Sequence, residues 1–301
     1  MGAAERSHRG GWGWPLAAVV VLAWLGLCRA SSSDGATTFA VIVDTSRYWL
    51  NYRHNANAFA VYQSVRRLGI PDSRIVLMVA EDFTDNPRNV FPGQLFIDPQ
   101  HEVDVAGGSS APTIDYYGDE VSVESLVRVL TGQHAPWVPR SKRLLSSRDD
   151  RVLLYVTGHG GENFMKFRDD EQMTGEDLAV ALAAMHAGGR YGELLLVVDT
   201  CKAATWYQHV TSPNVVCIGS SLRGENSYSQ SYSSTLGVPL IDQLTHGLHR
   251  ALLRGGKGGT VVGLAEALNR SVTSSTVDLR AIALERPLGD LRVADFFAAS
   301  N

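Results

Sequence analysis

The amino-acid sequence predicts an α/β fold, a mostly parallel central sheet flanked by helices. Three observations carry this. The runs Val152 to Thr157 and Leu194 to Asp199 are apolar at nearly every position rather than at alternate ones, the pattern of strands buried on both faces. Stretches with apolar residues three apart lie between such runs and read as amphipathic helices. Each central run also ends in a small polar cluster, Gly158-His159-Gly160-Gly161 or Thr200-Cys201-Lys202, as expected where an open α/β sheet places its crevice beyond the carboxyl ends of its strands.

Ahead of the fold, Arg6, His8 and Arg9 precede an apolar segment from Leu16 to Leu27, and Cys28-Arg29-Ala30 leads into serines 31 to 33. That segment is shorter than the ~20 residues needed to span a bilayer. Residues 1–30 therefore read as a secretory signal peptide cleaved after Ala30, leaving residues 31–301 as one large α/β domain.

Phe39 to Val43 is the first strand, ending in Asp44-Thr45-Ser46. Phe59, Tyr62, Val65 and Leu68 mark a helix over residues 55–68, stopped by Gly69 and Pro71, and Ile75 to Val79 is the second strand. Residues 81–120, rich in proline and acids, read as an irregular surface excursion, and Val123 to Leu130 as a short helix. After the third strand, Phe164 to Phe167 suggests a small hairpin arm. Thr174 is placed to cap the amide of Asp177 at the start of a helix that ends near Gly188-Gly189. The fourth strand delivers Cys201. Val215 to Ile218 is the fifth, ending in Gly219-Ser220-Ser221. Helices are expected over residues 239–253 and 261–268, with a last strand at Leu291 to Val293.

Composition is that of an ordinary globular domain: 45% hydrophobic, 19% charged, formal net charge -4. Lys and Arg are scattered and outnumbered by acids, so a nucleic-acid partner is not expected. Beyond the leader only Cys201 and Cys217 are cysteines, which excludes a disulfide framework, and Cys217 inside an apolar run reads as a core thiol. His246 and His249, three apart on a helix without further metal-ligand spacing, read as solvent-facing. Asn269-Arg270-Ser271 is the one glycosylation sequon.

A thiol and an imidazole at the ends of two neighbouring strands are the minimum kit for nucleophilic catalysis. His159, bracketed by glycines that allow close backbone approach, would take the proton of Cys201 and later hand one to the leaving amine. The backbone N–H groups of Gly160 and Cys201 are candidate donors to a tetrahedral oxyanion, each worth ~10²- to 10³-fold in rate. Zinc held by His159, Cys201 and Asp199 is the competing chemistry, without the C-x-x-C or H-E-x-x-H spacing that would support it.

The segments Asp44 to His54, Leu68 to Ser73, Asn86 to Asn89, Thr157 to Gly161 and Asp199 to Cys201 closely resemble the catalytic subunits of the glycosylphosphatidylinositol (GPI) transamidase, relatives of the legumains and, more distantly, of the caspases. The resemblance implies a caspase-like three-layer catalytic domain. It implies that Cys201 attacks a carbonyl near the C-terminus of a precursor protein, expels a hydrophobic tail peptide and passes the acyl group to the ethanolamine amine of a GPI lipid. By the same resemblance His159 is the base, Cys201 the nucleophile and Asn51 the residue that orients the histidine, while Ser220 and Ser221 belong to the wall of the pocket at the scissile bond. The chemistry requires no cofactor. Some relatives bind structural calcium, and Asp72, the Ile75 carbonyl and Asp115 match their ligands, with Thr113 where another acid is expected. Asp85 replaces a cysteine that bridges some members to a partner. The resemblance further implies a place on the lumenal side of the endoplasmic reticulum, membrane-associated through partner subunits. A soluble legumain-like asparaginyl endopeptidase is the alternative reading.

Overall fold

The structure, a computed structural model, describes residues 36–108, 111–255 and 257–299, so the expected signal peptide over residues 1–30 lies outside the described residues. The chain enters with β1 (Thr38–Asp44), crosses over through α1 (Tyr52–Arg67) and returns in β2 (Ile75–Val79). A two-residue edge strand β3 (Tyr116–Tyr117) and helix α2 (Val123–Thr131) follow, then β4 (Arg151–Thr157). Beyond β4 lies an antiparallel arm of β5 (Gly160–Gly161), β6 (Phe164–Phe167) and β7 (Glu171–Thr174). Next come α3 (Gly175–Ala187), β8 (Glu193–Asp199), the short α4 (Ala203–Trp206) and β9 (Val215–Gly219). A hairpin of β10 (Ser229–Ser233) and β11 (Val238–Asp242) leads into α5 (Gln243–Gly255), α6 (Val261–Ser271), β12 (Asp278–Ile282) and α7 (Val293–Phe297).

The main sheet has the order β12-β9-β8-β4-β1-β2-β3, parallel throughout except where β12 pairs antiparallel with β9. Its strands are apolar on both faces because both faces are covered. Leu153, Tyr155, Leu195 and Val197 pack with α1, α5, α6 and α7, while Leu154, Val156, Leu196 and Val198 pack with α2, α3 and α4. Cys217 lies in the second of these cores and is a free, fully buried thiol. Local signals act as expected at α3, where the Thr174 hydroxyl accepts the Asp177 N–H at 3.1 Å and the Asp177 carboxylate accepts the Thr174 N–H at 3.0 Å. At the other end of α2, Gly132 takes a left-handed conformation, φ 72°, that closes the helix.

Four expectations are corrected. Residues 239–242 are strand, not helix. Helix α5 starts only at Gln243, because β11 pairs with the polar β10, a strand that has no apolar pattern to announce it. The last strand of the sheet is Asp278–Ile282 rather than Leu291 to Val293, and Val293 instead opens α7, whose Phe296 and Phe297 are fully buried in the core. The excursion after β2 is irregular but not confined to the surface, since it buries Leu95, Ile97 and Val105. It is held by an isolated antiparallel bridge between Phe96 and Asp104 and by the Asp104 carboxylate, which accepts the N–H groups of Leu95, Ala106 and Gly107. His249, read as solvent-facing, is 5% exposed, with Nδ1 2.9 Å from the Ser64 hydroxyl of α1.

Truncating Phe297 to alanine removes a fully buried ring at the end of the chain and is expected to cost about 3–5 kcal/mol, whereas Thr174→Ala removes only a cap, worth about 1 kcal/mol. Urea unfolding of the two variants should separate these values clearly.

Candidate functional site

The register of β4 with β8 sets the site. Thr157 pairs with Asp199, so both strands end at one level and the residues that follow leave the sheet side by side. Gly158 donates its N–H to the Asp199 carbonyl at 3.4 Å, and the Thr200 hydroxyl donates to the Gly158 carbonyl at 2.9 Å. These bonds tie the turn that carries His159 to the turn that carries Cys201. Glycine is required twice. Gly158 has φ 151° and a Cβ there would run into the Thr45 hydroxyl, while a Cβ on Gly160 would lie 2.6 Å from the Thr200 hydroxyl.

His159 is half-buried, and its Nε2 lies 2.8 Å from the Asn51 Oδ1. Asn51 donates its own amide to the Arg47 carbonyl at 2.6 Å, which leaves Oδ1 as the atom facing the ring. An acceptor at that place requires the proton on Nε2 and leaves Nδ1 with a free lone pair. Burial, and then the Arg53 guanidinium, push His159 below its ordinary value, so the neutral ring is favoured at pH 7. His54 packs edge-on against His159, with centroids 5.0 Å apart.

Cys201 is half-buried at the end of β8. Its thiol donates to the Ser227 carbonyl at a sulfur distance of 3.9 Å, and among the described residues no hydrogen bond joins it to His159. The Cys201 N–H meets no acceptor among the described residues. Lys202 N–H bonds the Glu225 carbonyl, and Lys202 adopts φ 55°, a left-handed conformation uncommon for a residue with a side chain. In the arm, Lys166 donates to the His159 carbonyl at 2.9 Å while Gly160 pairs with Met165. Alternation along an antiparallel ladder therefore points the Gly160 N–H away from β6.

Ser220 and Ser221, expected on a pocket wall, are 1% and 0% exposed. The Ser220 hydroxyl accepts the Thr200 N–H, both hydroxyls donate to the Thr200 carbonyl, and Ser221 accepts the Ala203 N–H. They clamp the Cys201 turn from below and have no side-chain surface to offer a ligand.

Beneath the two turns lies a buried polar cluster that motif reading missed. Asp242 accepts Asn57 Nδ2 at 2.7 Å and Arg53 Nε at 3.1 Å, and Asn57 also donates to the Thr157 hydroxyl at 3.0 Å. His54 Nδ1 meets the Ser46 hydroxyl at 2.8 Å. Arg53, His54 and Asn57 interrupt the apolar pattern in the first turns of α1, which was a usable signal. Asp242 gave none, because it sits at the end of a strand read as helix.

At the expected cation site, Asp72 accepts the Tyr62 hydroxyl at 2.5 Å and Asp115 accepts the Leu77 N–H at 2.9 Å. Burial, and in smaller part the Asp72 charge, push Asp115 up to about 6. A half-buried carboxylate beside a second one suits a hard cation, although no group of three or more His, Cys, Asp or Glu gathers anywhere among the described residues. Asp85 is exposed on its turn.

The peptidase C13 family matches residues 38–246. The chain is 42% identical over 271 residues to the GPI-anchor transamidase of Schizosaccharomyces pombe, covering 89% of this chain and 71% of that protein. It is 40% identical over 295 residues to the human GPI-anchor transamidase, covering 94% and 74%. To the Saccharomyces cerevisiae GPI-anchor transamidase it is 39% identical over 284 residues, covering 91% and 69%. Among solved structures it is similar to caspase-1 from Spodoptera frugiperda, with a TM-score of 0.49 at 10% identity over 83% of this chain and 88% of that one.

Burial, then the Asp199 charge, push Asp242 up to about 7, against Arg53, which lowers it. A folded pKa above the ordinary 3.8 means that Asp242 contributes stability that is fully present below about pH 4 and lost as pH rises through about 7. His54 and His159, both lowered by burial, carry the opposite sign, and their contribution is lost as pH falls below their ordinary 6.5. Asp242→Asn should therefore flatten the loss of urea stability between about pH 4 and 7. It should leave the His159 part of the acid-side loss in place, while the His54 part changes with it because His54 Nε2 lies 3.6 Å from the Asp242 carboxylate. An unchanged pH profile would remove Asp242 from this account.

Proposed function

The chain belongs to the peptidase C13 family, and from that premise we propose that it is the catalytic subunit of a GPI transamidase, a cysteine enzyme of the legumain-like kind. The observation that carries the reading is a histidine and a cysteine leaving two adjacent, level strand ends, in a chain similar over most of its length to proteins named GPI-anchor transamidase.

In this reading His159 Nδ1 takes the proton of the Cys201 thiol as the sulfur attacks the carbonyl carbon of a residue near the precursor's C-terminus. The former carbonyl oxygen, now negative, accepts the N–H groups of Cys201 and Gly160. When the C–N bond breaks, His159 returns its proton to the departing amine and the hydrophobic tail peptide leaves. The thioester is then attacked by the ethanolamine amine of a GPI lipid. His159 accepts the proton of that amine, the C–S bond breaks, and the sulfur recovers a proton as free thiol. One amide is exchanged for another, so the outcome depends on positioning the acceptor amine ahead of water. The Asn51 bond supports its role here, because it holds the imidazole in the tautomer whose free nitrogen is Nδ1.

No helix among the described residues is long and apolar enough to cross a membrane. Placement on the lumenal side of the endoplasmic reticulum, with membrane contact through other transamidase subunits, follows from the reading as a GPI transamidase. A calcium ion held by Asp72, Asp115, the Ile75 carbonyl and the Thr113 oxygen would relieve the repulsion between the two carboxylates. Its role would be structural, since it takes no part in the acyl transfer. Millimolar calcium should raise the Tm of the wild-type chain and leave Asp72→Asn unmoved, and equal response of both would exclude the site.

The function is tested in cells that lack the endogenous catalytic subunit and carry a GPI-anchored surface reporter. The wild-type chain should restore surface display, Cys201→Ala should not, and Asn51→Ala should restore it at a rate at least about 10-fold lower. Failure of the wild-type chain to rescue, while present in the lumen with the other subunits, would overturn the reading. Cleavage of a free asparaginyl peptide by the purified chain would instead point to a soluble endopeptidase.

A further inference from the structure

Asp199, the last residue of β8, is 1% exposed and accepts three donors. Oδ1 takes the Ser227 hydroxyl at 2.9 Å, while Oδ2 takes the Thr245 N–H at 3.2 Å and the Thr245 hydroxyl at 2.6 Å. Thr245 anchors the carboxylate from α5, in a fully buried position that also holds the Tyr155 hydroxyl at 2.5 Å. Ser227 lies in the loop between β9 and β10, where residues 222–228 are half-buried or exposed. Among the described residues, Asp199 is the one partner of its hydroxyl, and its carbonyl is the one partner of the Cys201 thiol. A buried carboxylate at the base of the site thus reaches the carbonyl under the nucleophile through Ser227, on an otherwise open loop, while the buried Ser220 hydroxyl that holds Thr200 lies beside it.

We infer that Asp199 is a positioning residue: through Ser227 it sets the carbonyl on which the Cys201 thiol rests, so that the enzyme waits as neutral thiol and neutral imidazole until substrate displaces that contact. The inference rests on Cys201 being the nucleophile. The S–H donates toward a carbonyl oxygen, an arrangement open to the thiol and closed to the thiolate, which would face the carbonyl dipole with the Asp199 carboxylate behind it. The imidazole matches this state, since Asn51 accepts its Nε2–H and burial together with Arg53 disfavours a second proton. Thiolate is the form that reacts with oxidants and metals, so a thiol kept protonated between turnovers protects the nucleophile in an oxidising compartment. The other titratable and charged groups around these turns are His159 on its own turn, Lys166 and Asp169 from the arm, Lys202 beside the thiol, Glu225 in the loop, Asp242 from β11, and Arg53 and His54 from α1.

The test is the rate of iodoacetamide alkylation against pH on the full chain, read by mass spectrometry at the peptide that carries Cys201, which separates it from Cys28; fully buried Cys217 is shielded, and burial pushes its thiol up. Ser227→Ala, at a half-buried loop position where folding is not at risk, should lower the midpoint by about half a unit and raise the rate at pH 7 roughly threefold, the size set by one modest hydrogen bond. Asp199→Asn should shift it in the same direction, and the double variant should go no further than the larger single shift. Thr245→Val cuts the same carboxylate on its other side and should lower stability in urea while leaving the alkylation midpoint at the wild-type value. A wild-type midpoint in Ser227→Ala, or an equal shift in Thr245→Val, overturns the inference and reduces Asp199 to a structural role. Alkylation needs no substrate, so this failure differs from failure of the catalytic reading, which would appear as activity surviving Cys201→Ala.

Discussion

The site depends on one geometric constraint, the parallel register in which Thr157 lies opposite Asp199. Level strand ends place the next residues of each strand side by side, and the bonds from Gly158 to Asp199 and from Thr200 to Gly158 then tie the two turns to each other. The register is protected by burial on both faces. A slip of one residue would exchange Leu153 and Tyr155, which face one core, with Leu154 and Val156, which face the other. Positioning of a thiol and an imidazole is thus secured by many apolar contacts, none of which belongs to the chemistry.

Beneath those turns the apolar logic is suspended. Asp44, His54, Asn57, Asp199 and Asp242 are all buried, and burial opposes the charged form of each carboxylate among them. The cluster is tolerable because nearly every group finds a partner: Asn57 bridges Thr157 and Asp242, Arg53 offsets Asp242, and Thr245 with Ser227 saturates Asp199. One orphan remains, Asp44 Oδ2. Asp44 Oδ1 accepts the Ser46 N–H, and burial raises the carboxyl well above its ordinary range. The stability given up here is recovered in the sheet, a common division between scaffold and site.

The outer residues add direction to what the strands bring together. The short turn Trp49–Asn51 packs against the β10–β11 hairpin, with the Trp49 indole donating to the Leu236 carbonyl at 3.2 Å, so the asparagine that faces His159 is placed by a segment almost two hundred residues away. Ser220 and Ser221 perform a related service for Cys201 from the end of β9, holding Thr200 by both its N–H and its carbonyl.

The parallel strands, their polar ends, the cap at Thr174, and the placing of His159 and Cys201 just beyond two strand ends were all legible in the sequence, because a strand buried on both faces writes an unbroken apolar run and the turn that leaves it writes glycine and polar residues. Asn51 was named by resemblance, and its contact with the imidazole needed the fold. What local pattern could not decide was everything held by partners distant in sequence. The polar strand β10 carries no apolar alternation, β12 takes its place by pairing antiparallel at an edge, and Asp104 adds side-chain bonds to a single antiparallel bridge. Asp242, Ser227 and Thr245 matter through bonds to α1, β8 and each other's neighbours, and such bonds leave no periodicity. The sequence by itself determined the central parallel strands and which two residues follow their ends. Only tertiary structure decided what those residues face, because burial and hydrogen bonding are properties of the packed chain and not of its local order.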